Sequence, residues 1–366
     1  MTTSDTPYAL VDADRLDRNA SRLRDHLGSL GVPLRLHVKT AKSVDVARRV
    51  HDGGPITVST LAEAEHFADA GYRDVLYAVG IAPHKLPRVA ALLRRGVTLT
   101  VLLDTLVQAE AVAEFAAAQG LRVPALIEID CDGHRGGVLP ADPGLVPIGR
   151  TLGANLAGVL THAGESYFAY TPEALRKAAD NERDVAVAAA TTLRDNGLTC
   201  EIVSVGSTPT AHAATDLTGV TEVRAGNFVF FDLVMAGIGV CTTDDLALSV
   251  VVTVIGHQPD KNRVLTDGGW MATSRDRGTQ AQAVDQGYGL VARLGGDLVP
   301  GLLMTGASQE HGVLSTRDGS PVPDLPIGTR LRIFPNHACA TAAQHDRYEV
   351  VSGGVPLATW PRLRGW

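Results

Sequence analysis

At 366 residues, with 45% hydrophobic and 20% charged side chains, the chain has the balance of a folded protein able to bury a large core, which excludes a disordered one. The formal charge of −7 is scattered, with no basic run to neutralise a row of phosphates, so nucleic acid is not an expected partner. No stretch approaches the ~20 apolar residues of a membrane span, and the opening MTTSDTPYALVDADRLDRN lacks a basic then apolar leader, so a cytoplasmic location is expected.

In chain order, TPYALVDADRL reads as a strand, and residues 1–25 are assigned to a β domain completed later in the chain. Residues 26–239 then alternate short Val/Ile/Leu runs with longer Ala/Arg/Glu-rich stretches. Strands are expected at 34–38, 56–59, 75–79, 99–103, 125–129, 156–162, 202–205 and 222–225. Helices are expected between them, in VDVARRVHD, LAEAEHFADAG, KLPRVAALLRRG, TLVQAEAVAEFAAAQG and PEALRKAADNERDVAVAAATTLRDNG, several of which stop at a capping glycine. Eight such units close into a parallel (β/α)8 barrel. Residues 240–366 carry Val-rich strands (LALSVVVTVIGH, RVLTDGG, RLRIFPNHA, RYEVVSGGV) separated by Gly/Pro/Asp turns, which reads as a mainly antiparallel β domain. The expected class is α/β, a TIM-type barrel plus that domain. Cys131, Cys200 and Cys241 form no CxxC and are expected to be small buried hydrophobes.

Barrels place reactive groups at the C-terminal ends of their strands and hold phosphate on the loops after strands seven and eight. Those loops read Gly206-Ser207-Thr208-Pro209-Thr210 and Ala225-Gly226-Asn227-Phe228, combining glycine with hydroxyl and amide donors. Lys39 ends the first barrel strand in LRLHVKTAKS, where a lysine pointing into the barrel mouth loses solvent and becomes a usable nucleophile and base, whereas Lys42 is expected on the solvated surface. A phosphate cradle beside an inward lysine points to pyridoxal phosphate. Arg135 is placed either at the pyridine nitrogen or in a rim salt bridge, and His162 and Tyr167 are placed at the flanks of the ring.

The segments HVKTAKS, GHRGGV, THAGESY, GSTPT, EVRAGNFVFFD, DGGWMATSRDRG and FPNHACAT, in order across nearly the whole chain, resemble the D-serine dehydratase and D-threonine aldolase group of alanine-racemase-like, fold-type III pyridoxal-phosphate enzymes. The resemblance implies that Lys39 carries the cofactor, that Tyr167, Thr208, Gly226 and Asn227 help to hold it, with Ser207 added from the loop composition, and that the enzyme is a homodimer. Two positions depart from the group: Ala41 stands where the lysine motif has a second His, and Phe228 replaces a Tyr of the phosphate loop.

His337 and Cys339 in FPNHACAT are placed near a strand end, where an i, i+2 spacing puts both side chains on one face. On spacing alone, a buried cysteine beside a hydrogen-bonded histidine explains them better than a metal does, since two ligands are fewer than a catalytic zinc takes from protein. The resemblance selects the metal, since its dehydratases resemble His-x-Cys here and its aldolases His-x-Asp. Thiolate favours zinc and carboxylate a harder ion such as manganese, so Cys339 points to a dehydratase. The expected reaction takes a D-3-hydroxy-amino acid (D-serine, D-threonine or 3-hydroxy-D-aspartate) to a 2-oxo acid and ammonia, with Lys39 as the base at Cα and the metal assisting loss of the hydroxyl. Alternatives are retro-aldol cleavage with His162 as base, racemisation with Tyr288 or Tyr348 as a second acid/base, and a non-catalytic cofactor carrier.

Overall fold

A computed structural model of the chain describes residues 4–366, which form two compact units. One comprises the residues up to Ala20 with Asn227–Arg364, the other Ser21–Gly226 with Gly365–Trp366. In chain order, β1 (Tyr8–Asp12) and α1 (Ala13–Ser29) lead into β2 (Leu34–His37), α2 (Val44–His51), β3 (Ile56–Val58), α3 (Leu61–Asp69), β4 (Asp74–Gly80), α4 (Leu86–Arg94), β5 (Thr98–Leu103) and α5 (Leu106–Gln119). There follow β6 (Ala125–Ile129), α6 (Leu145–Leu152), β7 (Leu156–Thr161), α7 (Pro172–Asp195), β8 (Ile202–Val205), α8 (Thr208–Ala213) and β9 (Glu222–Ala225). The rest of the chain supplies α9 (Leu233–Gly237), β10 (Leu248–Gln258), β11 (Arg263–Thr266), α10 (Trp270–Thr273), β12 (Gly289–Arg293), β13 (Leu298–Ala307), β14 (Gly312–Thr316), β15 (Arg330–Phe334), α11 (Ala338–Ala342), β16 (Arg347–Ser352) and β17 (Val355–Pro361).

Strands β2 to β9 form a closed parallel barrel, and all eight fall where the apolar runs place them. Local chemistry explains the helix limits. Thr105 and Gln108 close a capping box at the start of α5, which stops at Gly120 in the left-handed conformation with φ 59°. Thr171 caps α7 ahead of Pro172, whose missing N–H costs nothing at a first helical turn. Closure comes from β9 pairing with β2, Leu36 opposite Ala225.

The barrel interior combines an apolar cluster of Leu76, Leu102, Leu126, Ala157 and Leu160 with a buried charged network. Arg35 donates to Glu222 at 2.7 Å and to Asp74 at 2.8 Å, and Glu222 accepts from Ser204 at 2.6 Å. Arg224 is buried, bonded to Ser204 and to the Thr161 carbonyl, and its pKa is pushed down to about 10 by burial. Lys42 is not the solvated lysine expected from sequence. The chain turns at this residue (φ 47°), and its ammonium sits 2.8 Å from Glu63, a carboxylate with no exposed surface that needs a counter-charge.

In the other unit β1 joins the later strands as expected, in a nine-stranded sheet ordered β11-β14-β13-β12-β15-β10-β1-β16-β17. Strand β11 pairs with both β14 and β10, so six of these strands close into an antiparallel ring around Val250, Val252, Val264, Val291, Leu302 and Ile333. Cys200 and Cys241 are buried small residues, whereas Cys131 is half-buried and its thiol is pushed up to about 12 by burial. Among the described residues no helix is long and apolar enough to cross a membrane. Replacing Arg35 by Ala leaves the buried Glu222 carboxylate without its counter-charge, and urea unfolding is expected to show a loss of about 3–5 kcal/mol.

Candidate active site

Lys39 stands two residues beyond β2, half-buried, with two imidazoles around it. His37 places Nδ1 3.0 Å from the Thr57 carbonyl, and His162, just past β7, places Nδ1 2.9 Å from the Gly206 carbonyl. Burial and then the Lys39 charge hold both rings neutral: His37 lies well below the usual histidine range and His162 is pushed down to about 3. With Nδ1–H donating to a carbonyl, each ring keeps Nε2 as an acceptor. Tyr167 lies with its ring centroid 6.5 Å from that of His162. Arg135 is exposed and bonds Glu128 at 3.2 Å, the rim salt bridge foreseen as one of its two roles, while its charge still reaches His162.

The segments after β7 and β8 are organised by one carboxylate. Glu182, wholly buried on α7, accepts from the Ala163 N–H at 2.8 Å, the Gly206 N–H at 3.1 Å and the Thr210 hydroxyl at 2.6 Å. Ser207 caps α8, and its hydroxyl is shared with Ser166 and Thr210 while its N–H goes to the Thr210 hydroxyl, so its polar atoms serve to fix the loop. Thr208 follows it, buried at the first position of α8. Gly226 permits a close approach, since an added Cβ would lie 2.5 Å from the His37 carbonyl. Asn227 donates its amide to Asp232 at 2.6 Å, and its buried Oδ1 has no hydrogen-bond partner among the described residues. Glycine-bearing loops, an unsatisfied buried amide oxygen and a lysine flanked by neutral rings fit pyridoxal phosphate. Phe228 has no exposed surface, so the missing hydroxyl of this loop is replaced by apolar packing.

His337 and Cys339 do not share a strand face as their spacing suggested. Strand β15 ends at Phe334, His337 caps α11 with extended backbone, and Cys339 lies in that helix's first turn. The two side chains still meet within hydrogen-bonding reach. The His337 ring places Nδ1 2.7 Å from Asp276, leaving Nε2 as its other coordinating atom. Burial disfavours charge on this ring, but Asp276, Cys339 and Asp232 outweigh it and push its pKa up to about 11. The acidic neighbours that hold this proton also favour a metal cation, which the ring binds only after losing the proton. Among the described residues no cluster of three or more His, Cys, Asp or Glu side chains is arranged around a metal, so this pair would leave coordination positions open to substrate or water.

Sequence reasoning passed over His37, Glu182, Asp276 and Asp232. His37, Asp232 and Asp276 lie inside the quoted motifs HVKTAKS, EVRAGNFVFFD and DGGWMATSRDRG, but nothing local assigns them a role. Tyr348 is a fully buried core residue packed edge-on against Phe230 at 5.5 Å, and Tyr288 lies under the Arg277 guanidinium at 5.0 Å.

Because His37 and His162 are neutral when folded, the unfolded chain binds more protons below the ordinary histidine pKa of about 6.5. Stability is therefore expected to fall as pH drops from about 6.5 toward 4, and histidine ring NMR should show His162 still neutral at pH 5.

Residues 11–234 match the alanine racemase N-terminal domain and residues 247–351 the serine dehydratase domain. The D-threo-3-hydroxyaspartate dehydratase of Delftia sp. (strain HT23) is 54% identical, over 100% of this chain and 98% of that protein. Its solved structure gives a TM-score of 0.97 over 100% of this chain and 99% of that one, and another solved form of it is a cysteine-to-alanine mutant in the metal-free form. The D-serine dehydratase of Dictyostelium discoideum is 28% identical over 95% of this chain and 93% of that protein. A solved D-threonine aldolase from Filomicrobium marinum, 28% identical, gives a TM-score of 0.82 over 98% of this chain and 95% of that one. The chain is a lyase and belongs to the D-serine dehydratase and D-threonine aldolase group of alanine-racemase-like, fold-type III pyridoxal-phosphate enzymes.

Proposed function

We propose that this lyase uses pyridoxal phosphate and a divalent metal to dehydrate D-threo-3-hydroxyaspartate, releasing a 2-oxo acid and ammonia. The observation that carries the reading is 54% identity along the whole chain to a dehydratase of that substrate, combined with the His337/Cys339 pair. Loss of the 3-hydroxyl as water gives an enamine, whose hydrolysis returns the water and frees ammonia.

When bound, the cofactor supplies an electron sink for bond breaking at Cα and the metal a Lewis acid for the departing hydroxyl. Lys39 would hold the cofactor, and its amine, when free, would take the Cα proton. The neutral His37 and His162 rings add no positive charge beside that amine. His162 and Tyr167 bracket the ring, while the Gly206–Thr208 and Gly226–Asn227 loops hold the phosphate. His337 and Cys339 hold the metal, Asp276 fixing the imidazole. The thiolate favours zinc. A homodimer is supported by exposed Val79, Leu106, Val107, Leu139 and Phe168 on successive barrel segments, since such apolar surface is commonly covered by a partner.

Incubation with D-threo-3-hydroxyaspartate, D-serine and D-threonine is expected to release 2-oxo acid from the first fastest; glycine with an aldehyde as products would defeat the dehydratase reading. Lys39→Ala is expected to lose both turnover and the visible absorbance of lysine-bound cofactor. Cys339→Ala should lose bound metal and dehydration while that absorbance persists. Asp276→Asn is expected to weaken metal binding about 10- to 100-fold, measured by competition with a chelator.

A further inference from the structure

Asp232 joins two segments that the proposed function uses separately. Its Oδ2 receives the Asn227 amide at 2.6 Å and the Ala338 N–H at 2.9 Å, and its Oδ1 receives the Met235 N–H at 3.0 Å. Asn227 belongs to the loop assigned to the cofactor phosphate, and Ala338 lies between His337 and Cys339. The carboxylate is 1% exposed, so water cannot replace either partner. Two further bonds, Leu233 N–H to the Pro335 carbonyl at 3.1 Å and Val234 N–H to the Asn336 carbonyl at 3.2 Å, fasten the start of α9 to the residues ahead of His337. Phe231, fully buried at φ 49°, holds a backbone conformation that only a well-determined environment maintains in a non-glycine residue.

We propose that Asp232 is a positioning residue that couples cofactor retention to metal binding. The proposal rests on the reading that Asn227 helps hold the cofactor and that His337 and Cys339 hold the metal. One oxygen shared by two donors cannot move to improve one bond without straining the other, and the cap on Met235 fixes where it sits. Ordering residues 336–339 around a metal therefore orders the Asn227 loop, and the linkage is reciprocal: whatever factor metal contributes to cofactor affinity, cofactor contributes to metal affinity.

The test is a titration of the full chain with pyridoxal phosphate, followed by its visible absorbance, in saturating zinc and again in chelator. Wild type is expected to bind the cofactor roughly 5- to 150-fold more tightly with zinc, the usual range of such couplings. Asp232→Asn keeps the shape and the cap but turns the shared acceptor into a donor facing two donors, and the zinc effect should shrink toward one. Asp232→Ser retains a capping oxygen and serves if the first variant does not fold. A wild type with no zinc effect, or a folded Asp232 variant that keeps it in full, overturns the coupling. Asn227→Ala separates the premises: unchanged cofactor affinity overturns the reading of Asn227 itself, whereas weakened affinity with the zinc effect intact overturns only the route through Asp232.

Discussion

The pairing of β9 with β2 is the contact on which the barrel chemistry depends. Parallel strands joined with Leu36 opposite Ala225 must end on the same rim, so Lys39, just past one strand, and Gly226, just past the other, are neighbours by register. Gly226 makes that closeness sterically possible, because any side chain there would press on the His37 carbonyl. An open sheet of the same strands would leave the lysine and the loop after β9 on opposite edges.

In each of the two units the polar groups are organised by buried carboxylates, most of them bonded to groups distant in sequence. Glu182 ties the segment after β7 to the loop after β8, Glu63 holds Lys42 down, Glu222 meets Arg35 inside the barrel, and Asp232 receives three N–H or amide donors in the other unit. Burial pushes the carboxyls of Glu182 and Asp232 up, and the donors around them favour the ionised form. A buried carboxylate stripped of its donors is costly, so these residues specify single loop conformations more than they add net stability.

Two histidine environments divide the chemistry. His162, desolvated beside the Lys39 cation, is pushed down to about 3, and His337, against Asp276 and the Cys339 thiol, is pushed up to about 11. The same side chain is thereby made a neutral acceptor next to an amine in one place and a cation-holding group in the other.

Much of this was legible in the chain itself. Apolar runs of strand length separated by helical stretches with capping residues are local signals, and they marked all eight barrel strands, the antiparallel character of the later strands and the return of residues 8–12 to them. Lys39 stood out because a lysine closing an apolar strand is unusual, and the GSTPT and AGNF segments because glycine and hydroxyl donors recur at two strand ends. Lys42 was misread because its partner, Glu63, lies on α3, beyond α2 and β3, and the geometry of His337 and Cys339 because a five-residue helix begins between them. Ser207 has the composition of a phosphate donor, yet its hydroxyl is taken up by Ser166 and Thr210. Asp276 and Asp232 meet their partners across 61 and 106 residues of chain. Periodicity and capping act within one turn or one strand, whereas the partner of a buried polar group is whichever donor packing brings within 3 Å, and only the closed barrel and the antiparallel ring decide that.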